Sequence, residues 1–149
     1  MLNEKLTFLE EVQAQNGDSW FIVTADRLLE ASKILRDELG LDCLSCLTGT
    51  DKGLEIEVVY HLFSYKTKVS VILKVLLRKA IPDGLKVPSV SEVWPSANWM
   101  EREIFDLLGI NFPGHPNLKR IMLPDDWEGH PLRKDYVERA EYAGMSTAR

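Results

Sequence analysis

The stretch LEIEVVYHLFSYKTKVSVILKVLL, residues 54–77, decides the fold that the sequence predicts. Apolar and polar side chains alternate through 54–63 and again through 68–77, as they do in β-strands that bury one face. The short segment between these two runs has the length of a hairpin connection. The sequence therefore predicts two antiparallel strands at the centre of a sheet.

The charged residues of this hairpin suggest how its strands align. If Phe63 stands opposite Lys68, then Glu57 stands opposite Lys74, which makes a favourable cross-strand pair on the exposed face. His61 lies on the same face and is interpreted as an exposed strand histidine.

The same kind of pattern predicts the elements before the hairpin: a helix over 3–15, a strand over 19–24, a helix over 26–39 and a strand over 41–48. Asp26 is expected to cap the second helix and Gly40 to end it, and 49–53 reads as a turn. This order predicts an α+β fold, a two-layer sandwich in which helices cover one face of a mixed β-sheet. An extended C-terminal segment follows.

The sequence predicts a single domain that consists of three parts. Residues 1–88 form an α/β scaffold around the central hairpin, 89–109 carry an amphipathic helix that docks on the core, and 110–149 form an extended partner-binding tail. The residues up to about 80 contain no nucleophile paired with a base, no phosphate-binding glycine loop and no cluster of metal ligands.

Composition excludes several classes of protein. The 149 residues carry a formal net charge of −5, and the bases are interleaved with acids, which argues against a nucleic-acid binder. No signal peptide is visible, and no apolar run approaches the roughly 18–20 residues that a membrane span needs. We expect a protein that is soluble by itself and meets a membrane only through partners.

The two cysteines form the motif Cys43-Leu-Ser-Cys46. A reactive pair of this spacing works best at a helix N-terminus, whereas this one falls in a predicted strand. One such motif also supplies only half of a four-ligand zinc site. Semi-buried structural thiols are the favoured interpretation, with redox chemistry or metal binding as the alternatives.

A helix is predicted over 98–108, with Asn98 as its cap and Glu101 as the acid of a capping box. Gly109 ends it, and its apolar stripe consists of Met100, Ile104, Leu107 and Leu108. Arg102 and Asp106 are spaced to pair along the helix. Glu101 with Glu103 could form a catalytic acid cluster, but without a nucleophile or metal an exposed face or a partner contact is favoured.

The segment after this helix contains a local repeat. Gly-His-Pro occurs at 114–116 and again at 129–131, and each copy is followed by a pair of basic residues. Glycine permits unusual dihedrals and proline keeps the preceding residue extended, so each copy predicts a bend. Two histidines and two aspartates could suggest a metal site, yet their spacing matches no common ligand pattern. Alternating charges with aromatic residues favour a protein–protein interface.

The run EREIFDLLGINFPGHPNLKRIMLPDDWEGHPLRKDY, residues 101–136, closely resembles the signature of the thirty-kilodalton subunit of respiratory complex I. In bacteria this complex is the proton-translocating NADH:quinone oxidoreductase. The run covers about a quarter of the chain, and upstream elements agree more loosely. Where the family often has Asp-Leu-Thr, this chain has Cys46-Leu47-Thr48, so no family role is carried onto Cys46.

The resemblance implies a cofactor-free subunit of the peripheral arm. Its partners would be the large hydrogenase-like subunit that shapes the quinone site and the neighbouring iron–sulfur subunits. The complex would pass electrons from NADH through FMN and iron–sulfur centres to a quinone such as ubiquinone, coupled to proton translocation. The chain would lie on the cytoplasmic side of the bacterial inner membrane as a peripheral subunit.

No catalytic, cofactor-binding or metal-binding residue is expected in the chain itself. The predicted partner-binding residues all lie in or beside the signature: Glu101, Arg102, Glu103, Asp106, His115, Lys119, Arg120, Asp125, Asp126, Trp127, His130, Arg133, Lys134, Asp135 and Tyr136. One alternative is the equivalent small subunit of a membrane-bound [NiFe] hydrogenase or a related ion-pumping dehydrogenase. The other is a freestanding enzyme that uses Glu101 and Glu103 with His115 or His130.

Overall fold

The computed structural model describes residues 6–13, 19–81 and 84–147. Its longer strands are β3 (Cys43–Asp51), β4 (Glu55–Phe63) and β5 (Ser70–Arg78), and its shorter ones are β1 (Glu10–Gln13), β2 (Ser19–Ile22), β6 (Glu141–Tyr142) and β7 (Met145–Ser146). The helices are α1 (Leu28–Asp37), preceded by a 3-10 turn at Ala25–Arg27, and α2 (Ala97–Leu108).

The main sheet has five strands in the order β1-β2-β5-β4-β3. Strand β2 runs parallel to β5, and the other neighbours are antiparallel, so the sheet is mixed. Strands β6 and β7 form a separate two-stranded hairpin. The predicted α+β fold is confirmed.

The predicted hairpin is confirmed in its strands but not in its register. Phe63 stands opposite Ser70 rather than Lys68, because Lys68 takes a left-handed conformation (φ 61°) and belongs to the turn. The Glu57 carboxylate still pairs with the Lys74 ammonium at 3.1 Å, but diagonally, since Val59 stands opposite Lys74. The side chains facing the core alternate as predicted: Ile56, Val58, Tyr60 and Leu62 in β4 and Val71, Leu73, Val75 and Leu77 in β5 are all buried.

The helix predicted over 3–15 is wrong for Glu10–Gln13, which form β1 instead. The apolar spacing there suits a helix, but the backbone N–H and C=O groups of this segment form hydrogen bonds with β2 instead. Local periodicity cannot reveal such a pairing. The ends of that prediction, 3–5 and 14–15, lie outside the described residues. The strand predicted over 19–24 is confirmed at β2.

Two further boundaries differ from the prediction, and a third agrees with it. Asp26 lies inside the 3-10 turn rather than capping α1, and no side chain bonds the start of either element. Strand β3 continues to Asp51, so the predicted turn at 49–53 begins later. Gly40 does adopt the left-handed conformation expected after the helix, with φ 68°.

Helix α2 packs on β3 at Gly49. A Cβ atom at Gly49 would lie 2.5 Å from Leu108 Cδ1 and 3.3 Å from Ile104 Cγ2, so the helix can lie this close only because the strand has a glycine there. Ile104 and Leu108 are buried as predicted, and Met100 is partly buried against the same core. The core continues past α2 to Ile110 and Phe112.

The two cysteines lie on β3 as free thiols, Cys43 half-buried and Cys46 exposed. A register shift between Leu44 and Cys46 marks a β-bulge in this strand. Among the described residues, no helix is long and apolar enough to cross a membrane.

Candidate functional site

The segment 113–139, here called the strap, returns over the C-terminal end of α2 after Gly109. The last carbonyl groups of a helix have no partner within it and need donors from elsewhere. Here each of the last four receives one: Gly109 N–H donates to Phe105 O (2.9 Å), His130 Nδ1 to Asp106 O (2.9 Å), Leu132 N–H to Leu107 O (3.0 Å) and Arg133 Nε to Leu108 O (2.6 Å). Three of these four donors come from the strap.

The Asp106 carboxylate lies beneath the strap and is fully buried. Its Oδ2 atom accepts the consecutive backbone N–H groups of Ile121 (3.0 Å), Met122 (2.7 Å) and Leu123 (3.0 Å). Its Oδ1 atom pairs with the Arg120 guanidinium at 2.7 Å. Burial by itself would raise the pKa of Asp106, but these hydrogen bonds outweigh it and leave the pKa lowered. Asp106 is therefore a charged anchor for the strap.

Arg120 joins this anchor to the second bend of the strap. One terminal nitrogen of Arg120 donates hydrogen bonds to both the carboxylate and the backbone carbonyl of Asp106. The other donates to Trp127 O at 2.9 Å and Gly129 O at 3.1 Å. The Arg102–Asp106 pair predicted from helix spacing is therefore wrong. Arg102 instead donates from Nε to Lys119 O at 3.2 Å and lies over the Trp99 ring, because the strap supplies Asp106 with a better-placed cation.

The bend at His130 holds the same end of α2. Gly129 has φ 84°, which confirms the bend, and the Tyr136 ring covers that glycine so closely that a Cβ would be 2.9 Å away. Desolvation, followed by the nearby Arg133 and Arg120 charges, lowers the pKa of His130. A neutral imidazole that donates from Nδ1 to the Asp106 carbonyl suits this environment.

The bend at His115 holds the first turn of α2. Asn117 N–H donates to His115 Nδ1 at 3.0 Å, so Nε2 carries the ring hydrogen and donates to Asn98 O at 2.9 Å. Gly114 has φ 85°, which confirms the bend predicted at the first Gly-His-Pro copy. The carbonyls of Asn98 and Asp106 are eight residues apart on the helix, about 12 Å at the usual rise. The two histidines therefore hold opposite ends of α2 and do not converge on one ion.

Glu101 is fully buried and does not form the predicted capping box. Its carboxylate accepts Ser89 Oγ at 2.6 Å and Val90 N–H at 2.7 Å, and the first helical turn has no side-chain cap. Burial raises the pKa of Glu101 to about 7, against the lowering effect of these two hydrogen bonds. His115 Nε2 lies 3.9 Å from this carboxylate. The neighbouring Tyr60 is also buried, and its burial, together with the charge of Glu101, raises its pKa. This arrangement ties the loop before α2 to the helix.

Asp51 at the end of β3 is an anchor that the sequence did not reveal, since it reads as an ordinary turn residue. Its Oδ2 atom accepts Lys134 N–H at 2.8 Å and pairs with the Lys79 ammonium at 2.5 Å, and Oδ1 accepts Gly53 N–H. Burial opposes ionisation, but these partners lower the pKa of Asp51 to about 2. The strap is thus fixed to the sheet as well as to α2.

The fifteen predicted partner-binding residues separate into three groups by exposure. Glu101, Arg102 and Asp106 are buried; His115, Arg120, Trp127, His130, Arg133 and Tyr136 are half-buried; Glu103, Lys119, Asp125, Asp126, Lys134 and Asp135 are exposed. Arg102, Asp106 and most of the half-buried group hold the strap to its own domain, whereas Glu101 holds the loop before α2. A partner-binding role stays a prediction for all fifteen.

Several exposed apolar side chains in this region were not predicted. Trp99 on α2 is 64% exposed, and Met122, Leu132, Val137 and Met145 are exposed to a similar or greater degree. Sequence periodicity gave no signal for Met122, Leu132 and Val137, because an apolar residue on an irregular segment is equally compatible with a buried or an exposed position. Exposed apolar side chains such as these are available for contact with a protein partner.

No group of three or more histidine, cysteine, aspartate or glutamate side chains in the described part of the chain is placed to hold a metal ion. The clefts along the strap and sheet are open, and one of them is lined by His130, Arg133, Tyr136 and Arg139. The geometry of this region is that of a docked segment with an outward face.

Comparisons with known proteins agree on one family. The model for the respiratory-chain NADH dehydrogenase 30 Kd subunit matches residues 21–142. A subunit of the NADH-quinone oxidoreductase of Moorella thermoacetica is 47% identical over 122 residues, 80% of each chain. The equivalent NADH-quinone oxidoreductase subunit of Roseiflexus castenholzii is 45% identical over 130 residues, 84% of this chain and 73% of the relative.

Two solved structures have the same fold. The trypsin-resistant fragment of Nqo5 is 27% identical, with a TM-score of 0.66 over 78% of this chain and 96% of the fragment. A chain of the membrane-bound sulfane sulfur reductase, an archaeal respiratory membrane complex, is 26% identical, with a TM-score of 0.73 over 91% of this chain and 81% of its own length. The signature resemblance at 101–136 is confirmed, and this chain belongs to the family of the 30-kilodalton subunit of respiratory-chain NADH dehydrogenase, the NADH-quinone oxidoreductase of bacteria.

Proposed function

We propose that this chain is a cofactor-free structural subunit of the peripheral arm of complex I. In that role it packs against the large quinone-site subunit and the neighbouring iron–sulfur subunits. It supports electron transfer from NADH through FMN and iron–sulfur centres to quinone, coupled to proton translocation, while the chemistry belongs to its partners. The complex would hold it on the cytoplasmic side of the bacterial inner membrane.

One observation carries this proposal beyond family membership. The buried Asp106 carboxylate holds the strap through Arg120, and the two strap histidines bond to backbone carbonyls of α2. The strap side chains of Met122, Leu132 and Val137 are exposed to solvent. A segment that is preordered and apolar on its outer side loses little entropy when a partner covers it. This supports a docking role for the strap.

A freestanding enzyme is not favoured by the arrangement of its candidate residues. Glu101 is buried and bonded to Ser89 and Val90, whereas Glu103 is exposed on the other side of α2. His130 is bonded to the helix end rather than to either acid. His115 Nε2 lies 3.9 Å from the Glu101 carboxylate, but both side chains are fully buried, so a substrate in solution cannot reach this pair.

The second candidate is the equivalent small subunit of a membrane-bound hydrogenase or a related ion-pumping dehydrogenase. It is favoured by the structural likeness to a chain of the sulfane sulfur reductase complex. The relatives named as NADH-quinone oxidoreductase subunits, at 45–47% identity, favour the respiratory enzyme instead.

Native co-purification tests the proposal. The tagged chain, expressed in its own host, should bring down the large quinone-site subunit and iron–sulfur subunits, identified by mass spectrometry. A [NiFe] large subunit in their place would support the second candidate. Purified alone, the chain should retain no stoichiometric metal or flavin and oxidise no NADH, and metal retained after chelation would contradict a cofactor-free role.

Charge reversal at Lys134 adds a matched test. The Lys134 side chain is exposed on the strap, so Lys134→Glu should lower the yield of the assembled complex. Lys33→Glu changes charge equally on the exposed side of α1 and serves as the control. Equal yields from both variants would argue against the strap as the docking surface.

A further inference from the structure

The two edges of the main sheet differ in how they are protected. An edge strand exposes unpaired backbone groups, which proteins usually shield by short length, charge, proline or a bulge. Strand β1 has four residues, two of them Glu10 and Glu11, and is protected in this way. Strand β3 has nine residues, CLSCLTGTD, with neither lysine nor proline. Its bulge lies near Leu44, so residues 46–50 pair with β4 in a regular antiparallel register.

The ladder between β3 and β4 fixes which backbone groups of β3 face outward. Lys52 N–H donates to Glu55 O at 2.8 Å beside the turn, which makes that pair hydrogen-bonded. Hydrogen-bonded and non-hydrogen-bonded pairs alternate along an antiparallel ladder. Thr50 and Thr48 therefore bond to β4, whereas the N–H and C=O groups of Leu47 and Gly49 face away from it.

These outward groups have no hydrogen-bond partner among residues 6–13, 19–81 and 84–147. The backbone bonds nearby lie beyond them: Ser96 Oγ donates to Leu44 O, and Lys134 N–H reaches the Asp51 side chain rather than its backbone. Leu47 and Gly49 thus keep two donors and two acceptors at an uncharged edge.

Beside this edge runs an apolar groove of about 220 Å³. Its apolar lining comes from Leu47, Ile104, Leu107, Leu108 and Leu132. A free strand edge next to such a groove is the arrangement with which proteins bind an extended peptide: the backbone pairs with the edge, and alternate side chains enter the groove.

The charge at the rim specifies the occupant further. Glu103 lines the groove and is exposed, and no ion pair engages its carboxylate in the described part of the chain. A lysine or arginine on the occupant would complement it. A second copy of this chain pairing through its own β3 could not supply that base, since β3 ends in Asp51 and contains no cation.

We propose that the β3 edge and the adjoining groove bind an extended segment of a partner subunit as a sixth strand of the main sheet. This segment alternates apolar residues into the groove and places a basic residue beside Glu103. The inference rests on the proposed function, because it takes the partner from the assembled complex. It adds to the strap a second docking element formed by backbone groups.

Amide hydrogen exchange at single-residue resolution tests the pairing, in the free chain and in the native complex. In the free chain, the Leu47 and Gly49 amides should exchange faster than those of Thr48 and Thr50, which bond to β4. In the complex, Leu47 and Gly49 should slow at least about tenfold, while Thr48 and Thr50 change less. These alternate residues are an internal control within one strand.

A charge variant tests the occupant. Glu103→Lys should weaken the recovered complex about tenfold and reduce the new protection at Gly49. Glu92→Lys, an exposed glutamate away from the groove, is the matched control and should leave both unchanged. Thermal unfolding of both free variants should match the parent, which separates binding from folding.

The outcomes separate this inference from the function on which it rests. Recovery of the expected partners with no change at Leu47 and Gly49 would overturn the added strand and leave the proposed function standing. Protection of both amides in the concentrated free chain, with a shift to dimer, would overturn the choice of occupant. Failure to recover any complex I partner would count against the proposed function itself.

Discussion

Replacing Asp106 by asparagine isolates the charge that anchors the strap. The variant keeps the shape of the side chain but loses the negative charge that holds three backbone N–H groups and the Arg120 guanidinium. One of its terminal atoms also becomes a donor, which meets N–H groups or Arg120 instead of accepting from them. The perturbation therefore breaks a buried ion pair without creating a cavity.

The expected cost follows from the burial of that pair. Removing one partner of a buried pair costs about 3–5 kcal/mol, because the other charge is left uncompensated. Asparagine keeps one acceptor oxygen, so we expect about 3 kcal/mol here. In a domain of this size each kcal/mol lowers the melting temperature by about 2–4 °C, which gives a decrease of about 6–12 °C.

Two assays measure this effect at different levels. Urea unfolding gives the free energy of unfolding, and calorimetry gives the melting temperature. Limited trypsin digestion reports whether the bonds after Lys119 and Arg120 become accessible as the strap detaches. Asp125→Asn is the control, because that carboxylate is exposed in the same segment, and it should change stability by less than about 0.5 kcal/mol. An Asp106→Asn protein as stable and as resistant to trypsin as the control would refute the anchoring role.

Three further predictions concern other sites. Folding raises the pKa of Glu101 from 4.5 to about 7, so the free energy of unfolding should fall by up to about 3 kcal/mol as the pH rises from about 4.5 through 7. In urea titrations at a series of pH values, Glu101→Gln should abolish most of this pH dependence. Arg133→Glu should lower unfolding free energy by about 1–3 kcal/mol, since Arg133 caps Leu108, whereas Lys134→Glu should leave it unchanged. Gly49→Ala should cost about 1–3 kcal/mol by overpacking against Leu108, and Leu108→Ala in the same chain should recover part of that loss in a double-mutant cycle.

Local pattern was sufficient to predict the central strands, because alternation in 54–77 records which side chains face the core. It was insufficient for the register, since the hairpin alignment depends on the conformation of Lys68 in the turn. It was misleading at Glu10–Gln13, where an apolar spacing that suits a helix belongs to an edge strand paired with β2. These differences arise where distant pairing overrides local preference.

The candidate site was predicted at the level of its segments rather than its contacts. The two Gly-His-Pro bends are present as expected, with Gly114 and Gly129 in left-handed conformations. However, spacing along the helix suggested that Asp106 pairs with Arg102, and only the return of the chain brings Arg120 to it. The role of Asp51 as an anchor for the strap had no signal in the sequence, because its partner on the strap, Lys134, lies 83 residues away.

The proposed docking role of the strap, added to its internal role, would couple assembly to stability. A partner that binds only the docked strap must also stabilise the domain, since binding to one conformation shifts the equilibrium toward it. Asp106→Asn should therefore weaken both unfolding stability and recovery of the complex. Lys134→Glu should weaken recovery alone, because its side chain takes no part in docking the strap. If instead Asp106→Asn lowered stability while complex recovery stayed at the parental level, the partner would have to bind elsewhere, for example at the β3 edge, and the strap would serve only its own domain.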